Sequence, residues 1–272
     1  MSSFILTIEW EHKRFQFDIA PEETVWDLKH LIYTDTDVEP YRQIFANLFL
    51  SANAMEDECT IEQLNLKPNF IVKVNDVISD HNGRIKIISK PRPGKKLLIL
   101  DLDQNIRDCA ALNGTIAVRP YLIEFLTSIY DDYDIGIWSA ADMIILENYI
   151  NSLNMTGNEN YKILFYTDVY SMVPIQTVDK VIQIKPLAFI WEKFSEYNHT
   201  NTVICDEIKY NFYLNPKNGI LINPYRYYYA DYELVRLLSY LRFIAQSDDL
   251  SDLNHKSWKD EQNDRDDGYG SE

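Results

Sequence analysis

The chain has 272 residues, 46% of them hydrophobic, with 8 Gly and 10 Pro, which is enough apolar material for one large core or two unequal ones. Its formal net charge of −16 opposes nucleic-acid binding, which relies on Lys and Arg to neutralise phosphates. No apolar run approaches the roughly 20 residues that span a bilayer, so no membrane is expected as a partner. The start "MSSFILTIEWEHK" lacks the charged opening and cleavage site of a secretory signal, and the expectation is an intracellular protein. Cys59, Cys109 and Cys205 are odd in number, lack C-x-x-C spacing, and read as reduced thiols.

Charge divides the chain into four parts. Residues 1–75 hold 6 basic and 13 acidic residues, 76–96 hold 6 and 2, 97–247 hold 11 and 18, and 248–272 hold 3 and 9. The expected organisation is a first body at 1–75, a basic linker at 76–94 punctuated by Gly83, Pro91, Pro93 and Gly94, a larger body at 95–258, and an acidic, disordered tail at 259–272.

In the first body "FILTIEW" and "RFQFDIA" alternate apolar and polar residues around "EHK", a β-hairpin pattern. "TVWDLKHLI" follows at helical spacing with Thr24 as candidate N-cap; then come strand-like "RQIFANLFL" and "FIVKVND". The order ββαββ within about 75 residues resembles the ubiquitin-like β-grasp roll. Ile44, Leu48 and Val72 are either an exposed docking patch or core.

The second body reads differently. "KKLLILDLD", "YDIGIWSAA", "YKILFYTD" and "TNTVICDEI" are short apolar runs ending in polar residues, separated by helical "RPYLIEFLTSIY", "MIILENYINSL" and "PLAFIWEKFSEYN". Alternation of strand and helix predicts an α/β fold, a parallel sheet with helices on both faces. Ligands of such sheets sit at the carboxyl ends of the strands, where Asp101, Asp103, Ser139, Asp206 and Glu207 all fall. A carboxylate there can attack phosphorus, which suits Asp101, and a second carboxyl two residues on can handle the leaving-group proton, which suits Asp103. Asp206 and Glu207 offer oxygen ligands for Mg²⁺, Lys185 offers a fixed cation, and Ser139 a hydroxyl donor or a helix N-cap.

D-x-D, a strand-end Ser, a Lys and a closing acidic pair, in this order, resemble the haloacid dehalogenase superfamily, and the longer stretches "RPGKKLLILDLD" and "CDEIKYNFYLNPKNGILINPY" resemble its FCP/SCP-like phosphatases. The resemblance implies a HAD-like Rossmannoid fold behind a ubiquitin-like domain, and a Mg²⁺-dependent protein serine/threonine phosphatase with a phosphorylated protein substrate. It also implies proteasome docking through the ubiquitin-like domain and a nuclear location with the cytoplasm as a further site; the acidic surfaces and two-body layout suit a monomer. By matched position it makes Asp101 the nucleophile, Asp103 the acid/base, Ser139 and Lys185 phosphoryl binders, and Asp101, Asp103, Asp206 and Glu207 the metal-side acids. Two departures stand out: Asn105 replaces the Thr of D-x-D-x-T, and Glu207 the second Asp of the closing pair. They leave an alternative, a weakened or inactive adaptor that binds the proteasome or phosphopeptides without turnover.

Overall fold

The computed structural model describes residues 4–48, 56–67, 69–78, 84–108, 117–226 and 230–259. Cys109 and residues 260–272 of the expected acidic tail lie outside the described residues. The chain divides into two compact units, Met1–Asn82 with Met172–Ile190 and Tyr210–Pro216, and Gly83–Ser171 with Trp191–Lys209 and Lys217–Glu272. The expected body at 95–258 thus falls partly in each unit.

In the first unit β1 (Phe4–Trp10) and β2 (Lys13–Ile19) form the expected hairpin, Trp10 pairing with Lys13 across Glu11 and His12. Both turn residues have positive φ, 45° and 67°, the backbone sign that matches the twist of a two-residue hairpin. Helix α1 (Val25–Thr36) starts at a capping box, in which Thr24 Oγ1 accepts from Asp27 N–H and the Asp27 carboxylate accepts from Thr24 N–H. β3 (Gln43–Phe45) and β4 (Ile71–Asp76) complete a sheet of order β2-β1-β4-β3 with β1 and β4 parallel, the β-grasp arrangement. The predicted strand over 42–50 ends at Phe45. Val72 is fully buried and Leu48 nearly so, packed with Ile8, Leu28 and Ile32, so both are core rather than exposed patch; alternation alone cannot say which face of a strand is covered.

The second unit opens with a correction. The segment 76–94 is not linker throughout: Ile85–Ile87 forms β5, whose β-branched residues pair antiparallel with a later strand. Arg92 then anchors the chain, its Nε donating to Asp134 Oδ1 at 2.6 Å while its guanidinium lies 3.4 Å from the centre of the Tyr130 ring. The remaining elements are β6 (Lys96–Leu100), β7 (Arg107–Asp108), β8 (Ala117–Val118), α2 (Leu122–Ile129), β9 (Tyr133–Trp138), α3 (Met143–Ser152), β10 (Ile163–Thr167), β11 (Val173–Gln176), β12 (Val181–Ile184), α4 (Ala188–Lys193), β13 (Thr202–Asp206), β14 (Gly219–Leu221) and α5 (Glu233–Ile244). β11 and β12 pair with each other rather than with the main sheet, and belong to the first unit. The helix expected from Pro186 to Asn198 is confined to α4.

Six strands in order β14-β13-β6-β9-β10-β5 form the main sheet among the described residues, parallel except for β5. Leu98, Leu100, Ile135, Ile137 and Val203 on one face pack with Phe125, Leu146 and Leu237 of α2, α3 and α5. On the other, Phe165 stacks on Phe194 just past α4. Coverage of both faces explains why β6, β9 and β13 are continuous apolar runs instead of alternating ones. Gly136 is required by this packing, since a Cβ there would stand 2.3 Å from the Phe165 ring.

Behind α5, His255 is buried, with Nδ1 2.7 Å from the Tyr240 hydroxyl. Burial pushes its pKa down from the ordinary 6.5 to about 4, against a weaker opposing influence of the Leu250 backbone. The unfolded chain therefore takes up a proton near pH 6.5 that the folded chain refuses until about pH 4. The stability this secures is complete above the unfolded value and is lost as pH falls between the two. At about pH 5 wild type should have lost about 2 kcal/mol more than His255→Gln, relative to neutral pH, in chemical denaturation. Equal losses would show that His255 is already protonated in the fold.

Candidate active site

Strand β6 lies between β13 and β9 at the point where the strand order reverses, the position at which parallel sheets of this kind bind ligands at their carboxyl ends. The Asp101 N–H still bonds the Cys205 carbonyl at 3.0 Å, so Asp101 stands beside Asp206, the last residue of β13. Ser139 follows β9 directly, its N–H bonded to the Thr167 carbonyl at 3.1 Å. The three strand ends predicted to carry Asp101, Ser139 and Asp206 thus lie along one edge of the sheet.

Beyond Asp101 the chain makes a tight turn. Leu102 is fully buried and its carbonyl accepts from both Ile106 and Arg107 N–H, at 3.0 and 3.2 Å. Gln104 takes a left-handed φ of 59°, and its carbonyl accepts from Tyr225 N–H at 2.5 Å. With Leu102 in the core, its neighbours Asp101 and Asp103 are held by side chains of the turn, Asp101 by Asn105 and Asp103 by Arg107. The turn that D-x-D-x-T would fix with a hydroxyl is fixed here by backbone bonds and by Asn105.

Asn105 is 2% exposed, and three oxygens converge on its Nδ2. The nitrogen donates to Asp101 Oδ2 at 2.9 Å, reaches the Asp103 carbonyl at 3.3 Å, and makes a short bond to Glu207 Oε2. Its own Oδ1 is buried with no hydrogen-bond partner among the described residues. The assignment of the two amide ends is decided by charge, because the reverse would set an oxygen against two carboxylates.

Asp103 is held from the other side. Arg107 Nε donates to its Oδ1 at 2.6 Å, and the guanidinium stacks 3.4 Å over the Tyr149 ring. Ser139 Oγ lies 3.5 Å from Asp103 Oδ2 and accepts from Ala141 N–H at 3.0 Å. The N-cap of α3 is Asp142, so Ser139 does not serve that duty. Asp206 is buried, and its Oδ1 accepts from Ile208 N–H at 2.9 Å. Cys205, wholly buried in the strand, has its thiol pushed up well above the ordinary value, by burial first and then by Asp206 and Glu233. It stays a protonated thiol at neutral pH.

Lys185 directly follows β12 in the first unit; it is 1% exposed and its N–H bonds the Asn211 carbonyl at 3.2 Å. Within the second unit the structure brings together Asp101, Asp103, Ser139, Asp206 and Glu207 of the predicted set.

Three contributors escaped the sequence reading: Arg107, Tyr149 and Asp231. Arg107 stands four residues after Asp103, a spacing visible in the sequence but meaningful only once the turn is known. Arg119, the first residue of the helical stretch "RPYLIEFLTSIY", stands just ahead of α2 and ties the site's turn to distant parts of the second unit. Its Nη1 donates to the Asn105 carbonyl at 3.0 Å, its Nε and Nη2 each reach the Asp231 carboxylate at 3.0 Å, and Nη2 also bonds the Asn223 carbonyl at 2.9 Å.

A hard divalent cation prefers carboxylate and carbonyl oxygens. The donors converging on Asn105 Nδ2 are of that kind, two carboxylates and a backbone carbonyl, and in chemistry they suit such an ion. Among the described residues no three His, Cys, Asp or Glu side chains form a ready-made metal group. The acids are drawn instead to Asn105 and Arg107.

Residues 96–251 match the family described as NLI interacting factor-like phosphatase. Similar over nearly the whole chain are proteins named Ubiquitin-like domain-containing CTD phosphatase 1. That of Drosophila melanogaster is 34% identical over 94% of this chain and 96% of its own length. Those of Xenopus tropicalis and Homo sapiens are 36% and 35% identical, each over 93% of this chain and 96% of their own length.

Proposed function

The chain belongs to the NLI interacting factor-like phosphatases, protein phosphatases of the HAD-like FCP/SCP type, and from that premise we propose that it dephosphorylates phosphoserine or phosphothreonine through an aspartyl phosphate on Asp101. The observation that carries the reading is the pair of carboxylates two residues apart at the sheet edge, one buried and fixed, the other 29% exposed and paired with Arg107. In the first displacement an Asp101 oxygen forms a bond to phosphorus as the substrate ester P–O bond breaks, and Asp103 delivers a proton to the departing hydroxyl. In the second, water bonds to phosphorus, the Asp101 oxygen leaves as carboxylate, and Asp103 takes the water's proton.

Ser139 donates to a phosphoryl oxygen, and Lys185 is assigned as the fixed cation by the family pattern. Mg²⁺, held by Asp101, Asp103, Asp206 and Glu207, is the proposed source of the positive charge that offsets repulsion between a phosphoryl group and a carboxylate. The test is Mg²⁺-dependent phosphate release from a phosphopeptide by the full chain and by Asp101→Asn.

The relatives' names carry the words CTD phosphatase, which support a phosphorylated protein substrate of that kind; a nuclear location is proposed from the family resemblance alone. The ubiquitin-like domain is proposed to dock the enzyme on the proteasome. Purified proteasome should retain the full chain, and Ile44→Glu, a charge on the half-buried Ile44 of β3, should weaken retention. Failure of wild type to co-purify would remove this partner. A second reading, an adaptor without turnover, is favoured by one observation, the Asn105 amide bound to the nucleophile. The same phosphate-release assay separates the two.

A further inference from the structure

We propose that the Asn105 carboxamide stands where a divalent cation would be ligated and competes with it, so that the metal enters only when Asn105 gives up its bonds to Asp101, Asp103 and Glu207. The inference rests on the cation requirement proposed above. Its basis is the count of partners around one atom. An amide nitrogen has two hydrogens, yet Asn105 Nδ2 faces three oxygens: Asp101 Oδ2 at 2.9 Å, the Asp103 carbonyl at 3.3 Å, and Glu207 Oε2. Two of the three are carboxylates, and such a set is the coordination chemistry of a hard cation, met here by a neutral side chain carrying only partial positive charge.

The other end of the amide supports the same conclusion. Asn105 Oδ1 is buried without a hydrogen-bond partner among the described residues, an arrangement that disfavours this rotamer unless the nitrogen's bonds to carboxylates outweigh it. Asn105 is therefore held by the acids rather than by its surroundings. Its backbone is anchored independently, through the Arg119 bond to its carbonyl, so the side chain can leave without the turn unravelling.

Glu207 has a place in the same device. Asp101 and Glu207 meet on one nitrogen although they are 106 positions apart in the chain, and the longer reach of Glu is what closes the bridge. The two departures from the family pattern, Asn105 and Glu207, are thus one feature: an amide and a carboxylate matched to each other. The expected consequence is weak cation affinity in wild type, with the acids kept together in the metal-free protein.

The experiment is direct Mn²⁺ binding to the full chain, followed by the electron paramagnetic resonance of free Mn²⁺, for wild type, Asn105→Thr and Asn105→Ala. Each variant should bind Mn²⁺ about tenfold or more tightly than wild type, the range expected for removing hydrogen bonds to charged acceptors that the ion must displace. Should both variants fail to fold, the side-chain amide resonance of Asn105 in wild type provides the measurement, and it should move on saturation with Mg²⁺. Equal or weaker binding by the variants, or an amide resonance that stays in place while the ion binds, overturns the inference and leaves the cation requirement standing. No ion binding by any of the proteins overturns the cation requirement itself and the inference with it.

Discussion

Asp101→Asn should lower Mg²⁺-dependent phosphate release by about 10⁴-fold or more while leaving the fold unchanged. The size follows from the role: an amide oxygen is a poor nucleophile, and the neighbouring carboxylates are otherwise engaged, Asp103 with Arg107, Asp206 as a cap on Ile208 and Glu207 with Asn105. Retention of the fold follows from the contacts. The backbone of residue 101 keeps its bond to Cys205, and a carboxamide oxygen in the place of Oδ2 can still accept from Asn105 Nδ2. Two carboxylates facing one amide become one, which if anything relieves repulsion. A variant that folds, binds phosphopeptide and does not turn over isolates chemistry from binding. Turnover within tenfold of wild type would mean that another group attacks phosphorus.

Arg119→Met should destabilise the second unit by about 3–5 kcal/mol, the range for breaking a buried ion pair on one side. Arg119 is 1% exposed, and its removal takes the guanidinium from the Asp231 carboxylate, which keeps the Glu233 N–H, and from the carbonyls of Asn105 and Asn223. Set against a typical total of about 5–15 kcal/mol, that is a large share. The loss should be partly recovered by Asp231→Leu in the same chain, because the uncompensated charge is then gone. Denaturant unfolding of the single and double variants checks both statements. If the double variant is no more stable than Arg119→Met, the ion pair is not the source of the effect.

The sheet was legible because physics wrote it redundantly. A strand covered on both faces must be apolar throughout, so "KLLIL", "YDIGIW" and "TVICD" stood out, and the polar residues that end them, Asp101, Ser139 and Asp206, marked the candidate site. The capping box at Thr24 and Asp27 was equally local. What the sequence could not show is what depends on distant partners. Nothing in "DQN" says that Asn105 will meet Glu207, or in "VRP" that Arg119 will meet Asp231, 112 positions later. The hairpin of β11 and β12 was missed because β-branched runs such as "VIQI" fit any strand, and pairing is decided by the turn between Thr177 and Lys180 rather than by composition. The linker reading failed for a related reason: Gly and Pro at 83, 91, 93 and 94 drew attention from the β-branched "IKII" between them, which the edge of the sheet recruits.

The account turns on covalent chemistry at one carboxylate. Full-length protein quenched with acid during turnover of a radiolabelled phosphopeptide should carry a hydroxylamine-labile phosphate on the peptide containing Asp101, and Asp101→Asn should carry none. Turnover with the label absent from that peptide, or present on another residue, would contradict it.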